Sequence, residues 1–264
     1  MIQETAVIRQ INRFRADLFS VMLECPLIAR QSKPGQFVHL QLPGIPQVLL
    51  RRPFSIAGVY KDQIKLIVRI VGAGTQGFAD FQVGQDLDVL GPLGAGFQYK
   101  KLKFAYFLGG GIGAAPLLFL QDELNKKGIP SQLFIGARLQ DEFPLEEEEI
   151  IQRNVIVCTD DGSYGEHGFV TQSFEKQISN GISPQSSAFS CGPVPMMREA
   201  ARICKKYELP HQVSLENRMG CGIGVCQGCA LKVQEEGHRG GFQLICLDGP
   251  VFDADAINWD LIEN

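Results

Sequence analysis

The stretch FAYFLGGGIGAAP, residues 104–116, places a continuous apolar run directly before a glycine-rich turn. Such runs are typical of strands buried on both faces of a parallel sheet. Pro116 suits the first turn of a helix, because the N–H that proline lacks would have no partner there. The stretch therefore predicts a buried strand, a glycine turn and a helix that continues to about Lys127. It is not a membrane span, which needs about 20 predominantly apolar residues.

The glycine turn leaves two interpretations open. Its spacing is G-x-G-x-x-P, preceded by two more glycines. Glycines at such a turn let the backbone approach a pyrophosphate, and the helix that follows offers free N–H groups. On that interpretation Gly110, Gly111 and Gly113 bind a nucleotide. On the other, the glycines form an ordinary tight turn, since short glycine motifs often occur without a ligand.

Residues 100–212 alternate strands with helices. Apolar runs at 131–137, 154–159 and 187–191 predict three more strands, and a helix follows at 194–207. This alternation indicates an α/β domain with a parallel sheet. Cys191-Gly192-Pro193 follows the last of these strands, and ligands of open α/β sheets bind at the carboxyl ends of strands. Cys191 is thus either close to a bound ligand or a buried structural cysteine.

Residues 1–99 read as an all-β domain. Short runs that alternate apolar and polar residues, such as 35–42 and 64–71, are separated by Gly/Pro turns. This pattern predicts a small antiparallel barrel or sandwich.

Two basic motifs lie in this first domain. Arg51 precedes the sequence Arg52-Pro53-Phe54-Ser55, and an arginine fork suits a phosphate or an electron-rich ring edge. The alternative is a solvated strand end before a proline. Arg69 lies in the apolar run Ile67-Val68-Arg69, and Gly74-Thr75 follows it. This second motif indicates either another phosphate contact or a sheet-surface arginine with a β-turn.

Four cysteines near the C-terminus have the spacing Cys221-x4-Cys226-x2-Cys229-x16-Cys246. The x4 and x2 spacing is the plant-type [2Fe–2S] ligand pattern. Glycines between these cysteines let the loop fold tightly and direct backbone N–H groups at the sulfurs. A structural zinc site is the competing interpretation, although zinc sites usually show two close Cys/His pairs. We expect Cys25, Cys158 and Cys204 to be small buried apolar residues.

The net charge, the N-terminal sequence and the segment lengths narrow the class of protein. The net charge of −4 gives no basic surface for nucleic acid. No secretory signal is visible, so we expect a cytoplasmic protein with reduced thiols or ligands rather than disulfides. Residues 213–264 form too small a core to be stable alone, and a cluster would staple them. The predicted organisation is three domains: 1–99, 100–212 and 213–264.

The order of these motifs resembles the ferredoxin–NADP reductase superfamily. The resemblance implies a six-stranded FAD-binding barrel followed by a nicotinamide-nucleotide domain. The segments that match flavin-binding motifs are Arg52 to Ser55, Ile67-Val68-Arg69 and Gly74-Thr75. The segments that match the nucleotide side are Gly109 to Gly113 and Cys191-Gly192-Pro193. In this family Arg52 would contact the flavin phosphate region, and Ser55 would lie near the isoalloxazine N5.

The short cysteine segment narrows the resemblance to the electron-transfer subunits of NAD-linked (class 1B) dihydroorotate dehydrogenases, which act in pyrimidine synthesis. Flavin subunits of sulfhydrogenases, of anaerobic sulfite reductase and of NADH-dependent ferredoxin:NADP oxidoreductases share the layout. The resemblance implies an FMN-containing catalytic partner, in a heterotetramer of two subunits of each kind.

The resemblance also implies a mechanism. Hydride would pass between the nicotinamide and flavin N5, and single electrons between the flavin and the cluster, with no side chain acting as acid or base. NAD is favoured over NADP as the co-substrate. Asp160-Asp161 would repel a 2′-phosphate, although Arg138 at a strand end would attract one.

Overall fold

A closed antiparallel barrel of six strands forms the N-terminal part of the computed structural model, which describes residues 1–45, 48–233 and 241–262. The strands are joined in the order β1-β2-β5-β4-β3-β6. A barrel, not a sandwich, is therefore correct for this domain. The strand bounds are β1 (Ile2–Arg13), β2 (Leu18–Glu24), β3 (Phe37–Leu40), β4 (Arg52–Tyr60), β5 (Gln63–Arg69) and β6 (Asp86–Leu93). Two short helices accompany them, α1 (Pro26–Gln31) and α2 (Ala73–Ala79).

Helix α2 differs from the β-turn that was one interpretation of the second basic motif. Its start is fixed by Thr75, whose hydroxyl oxygen accepts the backbone N–H groups of Val71 at 2.9 Å and Gly72 at 3.3 Å. Phe78 at its other end is fully buried in the barrel core. Packing of this kind outweighs the low helix propensity of two glycines.

A seven-stranded sheet forms the second part, in the order β10-β9-β8-β7-β11-β12-β15. All its strand pairs are parallel except β12 with β15. The predicted α/β architecture is confirmed. The bounds are β7 (Phe104–Gly110), α3 (Ala115–Lys126), β8 (Ser131–Ala137), α4 (Glu147–Gln152), β9 (Val155–Thr159), β10 (Glu166–His167), α5 (Val170–Ser179), β11 (Ser186–Cys191), α6 (Val194–Lys206) and β12 (His211–Ser214).

The cysteine-bearing segment is built against both other parts. Strands β13 (Ala230–Lys232) and β14 (Phe242–Leu244) pair with each other, and β15 (Val251–Asp253) joins the edge of the large sheet beside β12. The large sheet thus includes residues on both sides of the predicted boundary at 212. Among the described residues, no helix combines the length and the apolar character that crossing a membrane requires.

Strand β3 separates the barrel core from the cysteine segment. Val38 and Leu40 point into the barrel core, as alternate residues of a strand share one face. Phe37 points the other way and belongs to the apolar cluster that contains Cys229 and Cys246. The outer face of β3 is therefore covered by the cysteine segment. This contact brings the motif Arg52 to Ser55 at the start of the neighbouring strand β4, which we call the flavin-type motif, close to the cysteines.

Candidate functional site

A cavity of about 820 Å³ opens at the carboxyl ends of the parallel strands. The glycine turn after β7 and the turn after β11 form its floor. Five predicted nucleotide residues line it: Gly110, Gly111, Gly113, Gly192 and Pro193. The cavity therefore lies where open α/β sheets bind their ligands.

The two turns on this floor interlock. A Cβ on Gly110 would lie 2.4 Å from Cδ of Pro193, and a Cβ on Gly113 would lie 2.6 Å from the carbonyl oxygen of Cys191. Gly192 has a φ of +150°, a conformation that side chains rarely adopt. Glycines are thus required at these positions because the two backbone segments approach closely. They leave a concave surface of exposed backbone on the floor of the cavity, which we call the cradle.

Cys191 lies beneath this floor. Its side chain is buried, and that burial raises the pKa of the thiol well above its ordinary value. A thiol of this kind stays protonated and unreactive. We conclude that Cys191 supports the cavity from below. Cys25, Cys158 and Cys204 are buried as predicted.

The mouth of the cavity carries a compact set of charges. Arg138, just after β8, pairs with Glu142 through two side-chain hydrogen bonds, one of them 3.1 Å from Nε to the carboxylate. This pairing lowers the pKa of Glu142. Partial burial, together with Glu142 and Asp161, raises the pKa of Asp160. Glu142 was not identified from the sequence, and its position four residues after Arg138 is the only signal that could have found it.

A second, smaller cavity of about 120 Å³ lies between the barrel and the segment that leads to the cysteines. Pro53 and Ser55 of strand β4 line it from the barrel side, and residues 214–217 with Met219 line it from the other. Glu216 faces both cavities. Glu216 follows strand β12, and a strand end was the one sequence signal that pointed to it.

The two arginines of the first motif have different surroundings. Arg51 donates to the Asp88 carboxylate at 2.7 Å, so a protein anion already satisfies it. In the described part of the chain no carboxylate pairs with Arg52, and its Nε lies 3.6 Å from the position of a Cβ on Gly74. Arg52, Gly74 and Thr75 are therefore brought together, with a guanidinium group that has no anionic partner among the residues the structure describes.

The other predicted flavin residues are dispersed. Phe54 packs against the Phe78 ring, with the ring centroids 5.6 Å apart. Ile67 and Val68 have buried side chains in two different cores. Arg69 lines the larger cavity, where its Nη2 donates to the Glu142 carbonyl at 2.9 Å.

The cysteine loop directs backbone N–H groups at sulfur, as predicted. Cys221 Sγ accepts from the N–H groups of Cys226 at 3.3 Å and Ile223 at 3.5 Å. Cys246 Sγ accepts from Gly224 N at 3.2 Å. Glycines 222 and 224 have φ values of +71° and +80°, which this tight path requires. Such N–H groups stabilise negative charge on sulfur, so the loop fits an iron–sulfur cluster.

The four thiols of this segment differ in exposure. Cys229 and Cys246 are buried in one apolar cluster, whereas Cys221 is partly exposed and Cys226 is exposed. Among the described residues, no group of three or more His, Cys, Asp or Glu side chains converges on a point that could hold a single metal ion. The evidence for a cluster is the x4 and x2 cysteine spacing of the plant-type [2Fe–2S] pattern, since zinc sites usually show two close Cys/His pairs.

Apolar side chains surround the exposed end of this loop. Val225 is 74% exposed, Leu247 49% and Ile223 37%, and Cys226 among them is exposed as well. We call these three side chains the apolar rim. Contiguous exposed apolar groups mark interaction sites more often than isolated ones do.

Comparison with known proteins gives consistent results. Residues 216–258 match the family model described as the iron–sulfur cluster binding domain of dihydroorotate dehydrogenase B. The electron transfer subunit of dihydroorotate dehydrogenase B (NAD(+)) from Shouchella clausii (strain KSM-K16) is 40% identical over 89% of this chain and 90% of its own. The subunit of that name from Bacillus velezensis (strain DSM 23117 / BGSC 10A6 / LMG 26770 / FZB42) is 37% identical over 94% and 96%.

Solved structures agree on the fold. A chain from the structure of the NADH-dependent reduced ferredoxin–NADP oxidoreductase, described in connection with flavin-based electron bifurcation, has a TM-score of 0.84. It is 26% identical, and the match covers 97% of this chain and 90% of that one. The ferredoxin reductase of carbazole 1,9a-dioxygenase, at 22% identity, has a TM-score of 0.67 over 79% of this chain and 67% of its own.

Proposed function

The chain belongs to the family of electron transfer subunits of dihydroorotate dehydrogenase B (NAD(+)), and from this premise we propose that it passes electrons between an FMN-containing catalytic subunit and NAD. It is an oxidoreductase subunit of pyrimidine biosynthesis, with FAD, a [2Fe–2S] cluster and NAD as cofactors and co-substrate. FAD supplies the link, because a flavin exchanges electrons in pairs with a nicotinamide and singly with a cluster.

The observation that carries the proposal is the smaller cavity. Ser55 and Pro53, from the flavin-type motif, line one wall of it, and the chain that leads into Cys221 lines the other. A flavin held at this motif would lie next to the cluster loop. Close approach of the two groups is the arrangement that an electron-transfer subunit requires.

We assign the remaining cofactor contacts as follows. Arg52, with Gly74 and Thr75, would hold the flavin phosphates, since its guanidinium group has no anionic partner among the described side chains. The cradle of Gly110, Gly111, Gly113, Gly192 and Pro193 would hold NAD. Cys221, Cys226, Cys229 and Cys246 would hold the [2Fe–2S] cluster, with backbone N–H groups of the loop directed at the Cys221 and Cys246 sulfurs. No side chain is assigned an acid or base role.

We further propose that the catalytic partner docks on the apolar rim. The rim surrounds the exposed Cys226, and single electrons pass efficiently only between groups that come close. The resemblance to the family supports a heterotetramer of two subunits of each kind. A cytoplasmic location follows from the same proposal, because free thiols persist where the compartment is reducing.

Co-purification tests this function. The tagged chain is loaded with FAD, iron and sulfide, used to capture partners from the source cell lysate, and assayed for dihydroorotate-dependent NAD reduction. Activity together with a bound FMN protein supports the proposal. A brown, NADH-reducible protein that captures an FMN-free partner and shows no such activity would contradict it. That result would favour a ferredoxin-linked oxidoreductase, like the solved structure with the TM-score of 0.84.

Replacing Val225 by Glu is expected to weaken partner binding about tenfold or more, because a charge at the centre of an apolar contact must be desolvated. The dissociation constant of the complex, measured by titration calorimetry, checks this expectation. Val83→Glu is the matched control, because Val83 is also an exposed valine, 61% accessible, and lies in the barrel domain between helix α2 and strand β6. Equal weakening by both variants, or by neither, would refute docking on the rim.

A further inference from the structure

His39 is a buried polar side chain with no role in the function proposed so far. It lies on strand β3, its exposed fraction is 0%, and neither ring nitrogen has a hydrogen-bond partner within the described part of the chain. Buried polar groups in native proteins are hydrogen-bonded with few exceptions, so an orphaned one calls for an explanation. The ring packs beside Phe37, with the ring centroids 5.7 Å apart, and this neighbour offers no acceptor atom.

The polar edge of the His39 ring faces the cysteine loop. A Cβ on Gly222 would lie 2.6 Å from Cε1, 2.8 Å from Nδ1 and 2.9 Å from Nε2 of the ring. Only glycine allows this approach, and Gly222 directly follows Cys221. Both nitrogens of His39 are thus directed at the backbone that carries the first predicted iron ligand.

The other side of His39 faces the flavin-type motif. In the β3–β4 ladder His39 lies opposite Pro53, and Phe37 lies opposite Ser55. Directly opposed residues of an antiparallel pair share a face, with their Cβ atoms about 5 Å apart. The imidazole therefore lies between the flavin-type motif with Pro53 on one side and the cysteine loop with Gly222 on the other.

The ring can donate in either protonation state. A neutral imidazole carries one N–H donor and one acceptor nitrogen, and a protonated one carries two N–H donors. The loop already directs the N–H groups of Ile223, Gly224 and Cys226 at sulfur, so a donor from His39 would extend an existing set.

We propose that His39 is a positioning and tuning residue whose ring N–H donates to a sulfur of the cluster bound at Cys221. Hydrogen bonds to sulfur stabilise the more negative, reduced cluster and so raise its reduction potential. This inference rests on the proposed function, because it requires a cluster in the loop. It adds a donor from the barrel to those of the loop itself.

The test is a redox titration of the loaded protein, with the cluster followed by EPR and the flavin by visible absorption. His39→Leu, which removes the donor, is expected to disfavour cluster reduction about tenfold, equivalent to about 59 mV for one electron. His39→Gln and His39→Asn keep a donor at the reach of Nε2 and Nδ1 respectively, and we expect one of them to restore the parent potential. An unchanged cluster potential in His39→Leu, or a shift confined to the flavin, would overturn the proposal.

A second measurement does not depend on the fold of the variants. The chain has four histidines, so selective ¹⁵N-histidine labelling of the parent protein is simple. Pulsed EPR of the reduced protein is expected to show coupling of the cluster spin to a histidine nitrogen, and its absence would overturn the proposal. A protein without any cluster signal would instead count against the proposed function, so the two failures are distinguishable.

Discussion

Replacing Cys226 by Ser is expected to abolish electron transfer to the catalytic partner while leaving NADH-dependent dye reduction largely intact. Cysteine thiolates hold clusters of this pattern, and the exposed Cys226 also donates its N–H to the Cys221 sulfur. The dye reaction needs only the nucleotide and flavin sites, and Cys226 lines neither cavity. Partner reduction should fall by at least about a hundredfold, because losing only an outer-shell partner of a ligand already costs about 10–100-fold in metal affinity or activity. Stopped-flow assays of partner reduction and of dye reduction measure how much each rate falls in the variant.

Cys158→Ser is the matched control for this prediction. Cys158 is buried in the large sheet, and its sulfur lies 3.2 Å from the Ser173 hydroxyl, a contact that serine can keep. This variant should retain the brown colour and both activities. Undiminished partner reduction by Cys226→Ser would exclude a relay through the loop. A colourless parent protein that binds one zinc would exclude the cluster itself.

Replacing Glu142 by Ala is expected to shift the preference from NAD toward NADP. In the parent, Glu142 occupies the Arg138 guanidinium group, and Asp160 adds a second negative charge beside it. Without Glu142, Arg138 is free to bind a 2′-phosphate, and a charge-assisted hydrogen bond contributes about 1.5–3 kcal/mol. The ratio of kcat/KM for NADPH to that for NADH should therefore rise about tenfold or more.

Two further variants show whether the gain depends on Arg138. Adding Arg138→Ala to Glu142→Ala should remove the gain, because no cation then remains at the end of strand β8. Glu199→Ala is the matched control, because Glu199 also lines the larger cavity and also pairs with an arginine, Arg202. If Glu199→Ala raises the ratio as much, the effect comes from overall charge and not from Arg138. Binding of 2′-phospho-AMP relative to AMP gives a readout independent of turnover.

Local pattern was sufficient for most of the strands and helices. The strand at 131–137 was predicted with its observed bounds, because buried parallel strands are continuous apolar runs bounded by turns. Helix α5 was missed, although Val170, Phe174 and Ile178 recur every four residues and are all buried. Helix α2 gave less signal, because its two glycines disfavour a helix and its stability comes from packing of Phe78.

The residues of the candidate site also fall into two groups, those that the local sequence indicates and those that only the folded structure reveals. The cysteine loop and the two glycine turns were readable because spacing and backbone approach are local properties. His39 and Glu216 were not, since their significance depends on Gly222 in one case and on two separate cavities in the other. The partner of Arg51 was not predictable from the sequence either, because only the folded chain shows that Arg51 pairs with the Asp88 carboxylate. Residues that are distant in sequence define these contacts, and a single sequence does not report them.

The addition of β15 to the far edge of the large sheet fixes an order of events during synthesis on the ribosome. All six barrel strands precede residue 94, and N-terminal units generally fold first while the chain is being made. The α/β elements from β7 to β12 follow, and then the loop with Cys221, Cys226 and Cys229 emerges, ahead of Cys246 and of β15, which pairs with β12. The nascent chain thus exposes three of the four predicted cluster ligands and the unpaired edge of β12 before Cys246 and β15 have been made. The cluster ligands are therefore complete only when the chain is nearly finished, and until β15 has been made the β12 edge is open to pairing with other strands.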